Sequence, residues 1–391
     1  MIVGEVVARV LAGQARHSGS TLVPKRFMCS EELESLNLTL RRFLMNKKLL
    51  ALAVAGATFA PSVMAQTANP VTLYGRAWVM VNSIKANGNT TALSLSTRTT
   101  VVDESSLIGV RGTEDLGGGL KAFFQIESSA PPDAGGGTLG SRNSGVGLQG
   151  GFGSIVLGRW DSPFKLSAIF VDPAGQNTIG NQLSIINTGD FNRRENNMIQ
   201  YWSPNMSGFS VRAMYGANEA KTATANPNST SISLDYAAGP FRVNYANEKH
   251  KDYRGSAVTA GVTEKGQNLS ATFVFGAFKL GVLAQRFTST DRTDRKASMA
   301  ALTYTLGKNE MFITGGQNKD GGLVGAVVQP KSKMAAIGYN YNFSKRTTFM
   351  ARYASLVNNS QSNNPMNASG LPAFTGNNDP KGFGAGLRHT F

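Results

Sequence analysis

From Val71 onward the chain alternates apolar and polar residues in segments of about ten, so that each segment has two unlike faces. In VTLYGRAWVMV, Leu73, Ala77, Val79 and Val81 fall on one side, and Thr72, Tyr74, Arg76 and Trp78 on the other. Phe209, Val211, Ala213 and Tyr215 oppose Ser210, Arg212 and Met214 in the same way, and Phe241, Val243 and Tyr245 oppose Arg242 and Asn244. Ten residues is the length at which a tilted strand crosses a bilayer, with one face suited to lipid and the other to water. Sixteen such segments start near residues 71, 99, 119, 141, 153, 196, 208, 230, 239, 267, 277, 296, 310, 333, 346 and 382. An even number of antiparallel strands can close, and closure leaves no unpaired edge in hydrocarbon. The predicted fold is therefore all-β, a sixteen-stranded antiparallel transmembrane β-barrel.

The connections support that reading. Short turns such as EDLGGG, GGFG, AAGP, GKN and FSKR alternate with long polar stretches such as 217–229 and 355–381, the asymmetry between the two ends of an outer-membrane barrel. Aromatics that end apolar faces (Tyr201, Tyr215, Tyr245, Phe275, Tyr341, Phe343, Tyr353) suit interfacial belts. A secreted β-sandwich also alternates, but its strands are usually nearer five or six residues.

The one stretch resembling a membrane helix, MNKKLLALAVAGATFAPSVMA over 45–65, has a basic start, a short apolar run and small residues at Val63 and Ala65, which mark a signal peptide cut between Ala65 and Gln66. Residues 1–44 precede it and carry Cys29, the protein's only cysteine; they read as an upstream extension outside the functional protein, or as an extended signal peptide. Residues 66–391 then form the barrel, without disulfides or thiolate metal sites. Residues 1–65 hold 8 of the 39 Lys and Arg and 4 of the 24 Asp and Glu, so the processed chain stays basic. No basic run or helix concentrates that charge, so no nucleic-acid partner is expected; anionic solutes and lipopolysaccharide fit better.

The connection DSPFKLSAIFVDPAGQNTIGNQLSIINTGDFNRRE, 161–195, is too long and too apolar for a hairpin loop. Folded into a wide barrel, it would bury Ile169, Phe170, Ile185 and Ile186 on the wall and present Asp172, Asp190 and Glu195 to the channel; projected outward, it would serve subunit contact or surface masking. Parity assigns Arg76, Arg111, Lys121, Arg212, Arg242, Lys279, Arg352 and Arg388 to the lumen against Glu127 and Asp235, which predicts an anion preference. His250, in what reads as a loop, and His389 have no partner by spacing, and no motif for phosphate binding, metal hydrolysis or nucleophilic catalysis occurs; neither an enzyme nor a cofactor is expected.

VTLYG, GVRGTEDLGGGLKAFFQIE, SRNSGVGLQGGFGSIVLGR, RRENNMIQYWSP with GFSVRAMYG, YNFSKRTTF and the terminal GLRHTF together resemble the trimeric sixteen-stranded general porins of Gram-negative bacteria, of the β-proteobacterial and neisserial type. The resemblance covers nearly all of 66–391. It implies an outer-membrane homotrimer, a third loop narrowing each pore, passive diffusion of small hydrophilic solutes, often with anion preference, and Phe391 as the signal read by the assembly machinery. The sequence departs from the family pattern at Leu107, Gln200 and Trp78, where charged residues are frequent. A substrate-specific channel, with Trp78, Phe123 and Trp202 as parts of an aromatic slide, and a non-transporting adhesive or structural barrel are the alternatives.

Overall fold

A computed structural model describes residues 70–391 apart from 89–93, 187–190, 218, 255–256, 320, 363, 365 and 367–376. The expected signal peptide, the extension before it and Asp190 lie outside the described residues. The strands are β1 (Thr72–Asn87), β2 (Leu95–Asp103), β3 (Leu107–Gly117), β4 (Leu120–Ser129), β5 (Ser144–Gly150), β6 (Gly153–Asp161), β7 (Arg194–Trp202), β8 (Phe209–Ala217) and β9 (Asn228–Ala238). They continue as β10 (Phe241–Arg254), β11 (Ala257–Phe275), β12 (Phe278–Ser289), β13 (Arg295–Leu306), β14 (Asn309–Lys319), β15 (Lys331–Asn342), β16 (Thr347–Asn358) and β17 (Asp379–Thr390). Two short helices, α1 (Pro163–Ile169) and α2 (Leu183–Ile186), lie between β6 and β7.

Each strand pairs antiparallel with its neighbours, and β1 closes the ring by pairing with β17. Seventeen segments make sixteen barrel strands because β2 and β3 are consecutive pieces of one: β2 pairs with Val79–Ala86 of β1, and β3 with Thr72–Arg76. The count read from the alternation is correct, and the interruption at 104–106 is what it did not reveal. Backbone groups inside a bilayer must find partners within the protein, and they do so here. Ser105 takes a left-handed φ of 86°, the Asp103 carboxylate accepts from the Ser105 and Ser106 amides, Glu104 N donates to Trp78 O, and Ser106 Oγ accepts from Trp78 N.

The two faces are as the alternation demands. Leu73, Val81, Leu234, Leu269, Ile313, Ile337, Phe383 and Leu387 are exposed on the outer face, while Trp78, Met80, Asn244, Asn268 and Arg352 on the opposite face are buried. Near the short turns, rings stack around the wall from Phe241 to Phe273, Phe275, Phe278 and Tyr304 at centroid distances of 4.5–5.6 Å, forming part of an aromatic girdle. Tyr341 and Phe343 meet edge to face at 5.0 Å. His250 sits within β10 rather than in a loop; the charged run around it is a strand whose even positions face inward.

The terminal strand joins β1 at Gly75. Phe391 and Gly75 exchange backbone hydrogen bonds of 3.0 Å in both directions, and the seam begins there. The Phe391 ring lies on Gly75 so closely that a Cβ there would sit 2.5 Å from the ring and 2.6 Å from Leu107 O. Gly75→Val is expected to destabilise the seam by about 1–3 kcal/mol, the usual cost of overpacking. Deleting Phe391 removes both hydrogen bonds and the ring. It is expected to lower the yield of folded barrel, read as heat-modifiable gel mobility, while the barrels that do form conduct as before; an unchanged yield would count against a closing role.

Candidate functional site

The segment between β6 and β7 is held by the wall along three stretches. Ser162 starts α1 by accepting the Lys165 amide at 3.2 Å, with Pro163 at the first helical position. Phe164 is fully buried against Phe191 and Phe287, and Ser167 bonds Asn268 and Ser270 of β11. At the end of α1, Lys279 Nζ donates to Phe170 O at 3.2 Å, and the Arg242 guanidinium stands 4.1 Å over the Phe170 ring. The second stretch is β13–β15, where Ile179, Ile185 and Ile186 pack on Met299, Met334 and Ala336, Gln182 donates to Thr314 Oγ1, and Asn318 Nδ2 donates to Ile185 O. The third is the interrupted strand, where Asn177 donates to Ser105 Oγ and Gly175, at φ +85°, leaves no room for a Cβ beside the Trp78 ring. Ile185 and Ile186 are buried and Ile169 and Phe170 partly so.

All these wall residues belong to the face opposite the exposed apolar one. Among the described residues that face carries its most extensive apolar patch along Leu283, Ala297, Met299, Ala301, Met334 and Ala336, under the segment. The signal was available: β13 and β15 carry Ala and Met in the register where β9 and β11 carry Ser, Asn and Thr.

Between the segment and the β2–β6 side lies a gap of about 280 Å³ lined almost wholly by polar groups, among them Ser105, Arg142, Lys165, Asn177, Asn181 and Arg194. Arg142 Nε meets Glu127 at 2.6 Å, and Asp161 takes Lys165 at 2.8 Å and Arg194 at 3.3 Å. Burial pulls the Lys165 ammonium below its ordinary pKa, and Asp161 opposes that shift. Arg142, Lys165 and Arg194 were not among the residues assigned by parity, because each lies in a connection or at a strand end where alternation fixes no face. Their nearness in sequence to the long segment was the available signal.

Arg76, Arg111 and Arg388 gather beside this gap around two rings. Arg76 and Arg388 each stand 5.5 Å from the Trp78 ring, Arg111 stands 5.0 Å from Tyr74, and Arg76 Nε also donates to Ser105 O. Tyr74 OH donates to Glu127, tying the acid to both its neighbours. Arg212 lies near Trp202, which stacks with Phe123; Asp235 takes Arg242 through both oxygens at 3.0 Å; Lys121 is exposed at the short-turn end of β4.

Three expected channel residues have other employment. Asp172 is buried, its carboxylate accepting the Ala174 and Gln182 amides and so folding the segment on itself. Glu195 is buried between Tyr253 OH at 3.1 Å and Arg193 at 2.8 Å. Arg352, 1% exposed, stands over Phe312 and spends its guanidinium on Ala174 O, Tyr339 O, Ala351 O and Asn340 Oδ1. Inward parity says which side a residue leaves the strand, not whether another segment covers it. His250 is fully buried with Glu248 at 2.8 Å and stacks on Phe191 and Tyr253.

A family model of Gram-negative porins matches residues 51–362. Outer membrane porin protein 32 of Delftia acidovorans is 31% identical over 366 residues, covering 89% of this chain and all of that protein. Major outer membrane protein P.IB of Neisseria meningitidis serogroup B is 28% identical, with 89% of this chain and all of that protein covered. Among solved structures, an anion-selective porin from Comamonas acidovorans superposes with a TM-score of 0.69 at 27% identity, over 83% of this chain and all of that one. OmpT of Vibrio cholerae in its trimer form shares the fold, with a TM-score of 0.61 at 18% identity, over 83% of this chain and all of that one.

Arg352→Met strips charge-assisted hydrogen bonds from Ala174 O and Asn340, each of which contributes about 1.5–3 kcal/mol. The variant is expected to melt at lower temperature and to show larger, noisier single-channel steps in a planar bilayer. Steps identical to the parent's would mean that Arg352 does not hold the segment.

Proposed function

The chain belongs to the Gram-negative porin family, and from that premise we propose that it is an anion-preferring general diffusion channel whose width and charge are set where the segment 161–193 passes the wall. That it is an outer-membrane porin follows from family and fold together. Anion preference rests on one observation: Arg76, Arg111, Arg142, Lys165, Arg194 and Arg388 gather around a polar gap against Asp103, Glu127 and Asp161. The solved anion-selective relative is consistent with it. In a narrow wet passage, a surplus of fixed cations lowers the entry barrier for anions and raises it for cations.

The segment's contacts with β8–β11, β13–β15 and the interrupted strand, all on the face away from lipid, support its lying within the lumen as a constriction. A dedicated aromatic slide is less well supported, since Trp78 is 2% exposed beneath Gly175 while Phe123, Trp160 and Trp202 cluster elsewhere. The remaining parts of the reading are a signal peptide over 45–65, an extension over 1–44 outside the functional protein, homotrimeric assembly among lipopolysaccharide, and Phe391 as the assembly signal.

Replacing Arg76, Arg111 and Arg388 together with Gln is expected to lower the anion-to-cation permeability ratio several-fold, measured as reversal potential across a salt gradient. Because fixed charge is screened with a Debye length of about 10 Å at 0.1 M and about 3 Å at 1 M, the effect should shrink at high salt. An unchanged reversal potential at 0.1 M would overturn the charge assignment.

A further inference from the structure

On the outer surface, at the long-loop end of β12–β15, four cations stand side by side on successive strands. Register pairs Arg286 with Lys296, Lys296 with Lys319, and Lys319 with Lys331. Lys333 follows opposite Gln317, and Lys249 pairs with Lys265 on β10 and β11. All seven are exposed, on the same outward face as Leu269, Leu302 and Ile313. Like charges directly opposite one another destabilise a sheet, since their Cβ atoms are only about 4.5–5.5 Å apart. Among the described residues Asp294 neutralises Arg286 at 2.6 Å, and no ion pair engages Lys249, Lys265, Lys296, Lys319, Lys331 or Lys333.

Height and shape narrow the choice of ligand. Lys296 is eight residues along β13 from Tyr304 in the aromatic girdle, about 26 Å along the strand and roughly 20 Å along the membrane normal after strand tilt. The cations therefore stand at the outer edge of the hydrocarbon, where lysine stems reach up to a headgroup plane. Below them the wall thins: Ala284 pairs with Ser298, and Ala300 with Gly315, where a Cβ would meet open space. A surface groove of about 420 Å³ runs there, with Tyr245 and Leu269 on one flank and Arg286, Lys296 and Lys319 at its head. Small side chains under a row of cations make a seat for an acyl chain beneath a phosphate.

We propose that this outward face is a binding site for a phosphorylated glycolipid of the outer leaflet, with Lys296, Lys319 and Lys331 holding its phosphates and the groove over Ala284, Ser298 and Ala300 taking an acyl chain. The site rests on the outer-membrane placement of the barrel and is independent of the pore's ion preference.

The test is native mass spectrometry of protein refolded in zwitterionic detergent, titrated with bisphosphorylated lipid A and, separately, with its dephosphorylated form. The parent is expected to retain the phosphorylated lipid at least tenfold better. K296Q/K319Q/K331Q is expected to lose at least tenfold in retention while its reversal potential stays as in the parent. With lipid absent, that variant is expected to melt at or above the parent's temperature, because repulsion within the row is relieved; a single K319Q, expected to lose about threefold, carries the test should the triple variant not fold. Equal retention by parent and lysine variants overturns the site, as does a parent that does not distinguish the two lipids. Displacement by equimolar tripolyphosphate overturns the assignment to lipid in favour of a soluble anion. The Arg76, Arg111 and Arg388 variant should keep full lipid retention, so failure of this site and failure of the pore reading give different results.

Discussion

Hydrocarbon offers no hydrogen bonds, and that single lack governs the architecture of this chain. Every backbone amide within the bilayer must be answered by a neighbouring strand, and the first and last strands must answer each other. The reciprocal pair between Gly75 and Phe391 belongs to that closure. The rule also explains why the break in the second barrel strand takes the form it does. Where the ladder stops at Glu104, Trp78 is handed to Ser106 Oγ, and Asp103 takes the two amides that the turn at Ser105 would orphan. Glycine at 75 and left-handed serine at 105 are local concessions to a global requirement for closure.

Closure creates an interior, and the long segment is organised around it. Its apolar residues find Met and Ala on β13 and β15, while its polar backbone is met by Ser, Asn, Gln and Lys from the surrounding wall. The acids around it are engaged too: Asp172 accepts amides of the segment, Glu195 pairs with Arg193 and accepts from Tyr253, and Glu127 pairs with Arg142 beside the gap.

Alternation made the strand count, the two faces and the long segment legible, because a period of two follows directly from the pleat. It said nothing of depth. Arg352 and Arg76 leave their strands on the same side, yet one is sealed beneath Ala174 and the other stacks on Trp78 beside open space. The difference lies in a segment nearly two hundred residues away from Arg352, which no local pattern encodes. Arg142, Lys165 and Arg194 escaped for the complementary reason: outside the regular strand there is no parity to read. The break at 104–106 was hidden because Glu104, Ser105 and Ser106 keep the polar character of an inward-facing stretch.

The attachments of the long segment have a mechanical corollary. They join β1 and the β2–β3 junction to a run of strands from β8 to β16, so the segment ties parts of the ring that are not neighbours. A tube one sheet thick resists bending of its wall poorly and would ovalise under the lateral pressure of packed lipid. A brace fixed along three stretches turns that soft ring into a trussed one, so each attempt to flatten it must stretch Arg352 from Ala174, Gln182 from Thr314 or Asn268 from Ser167. The segment that makes these bonds also keeps the tube round.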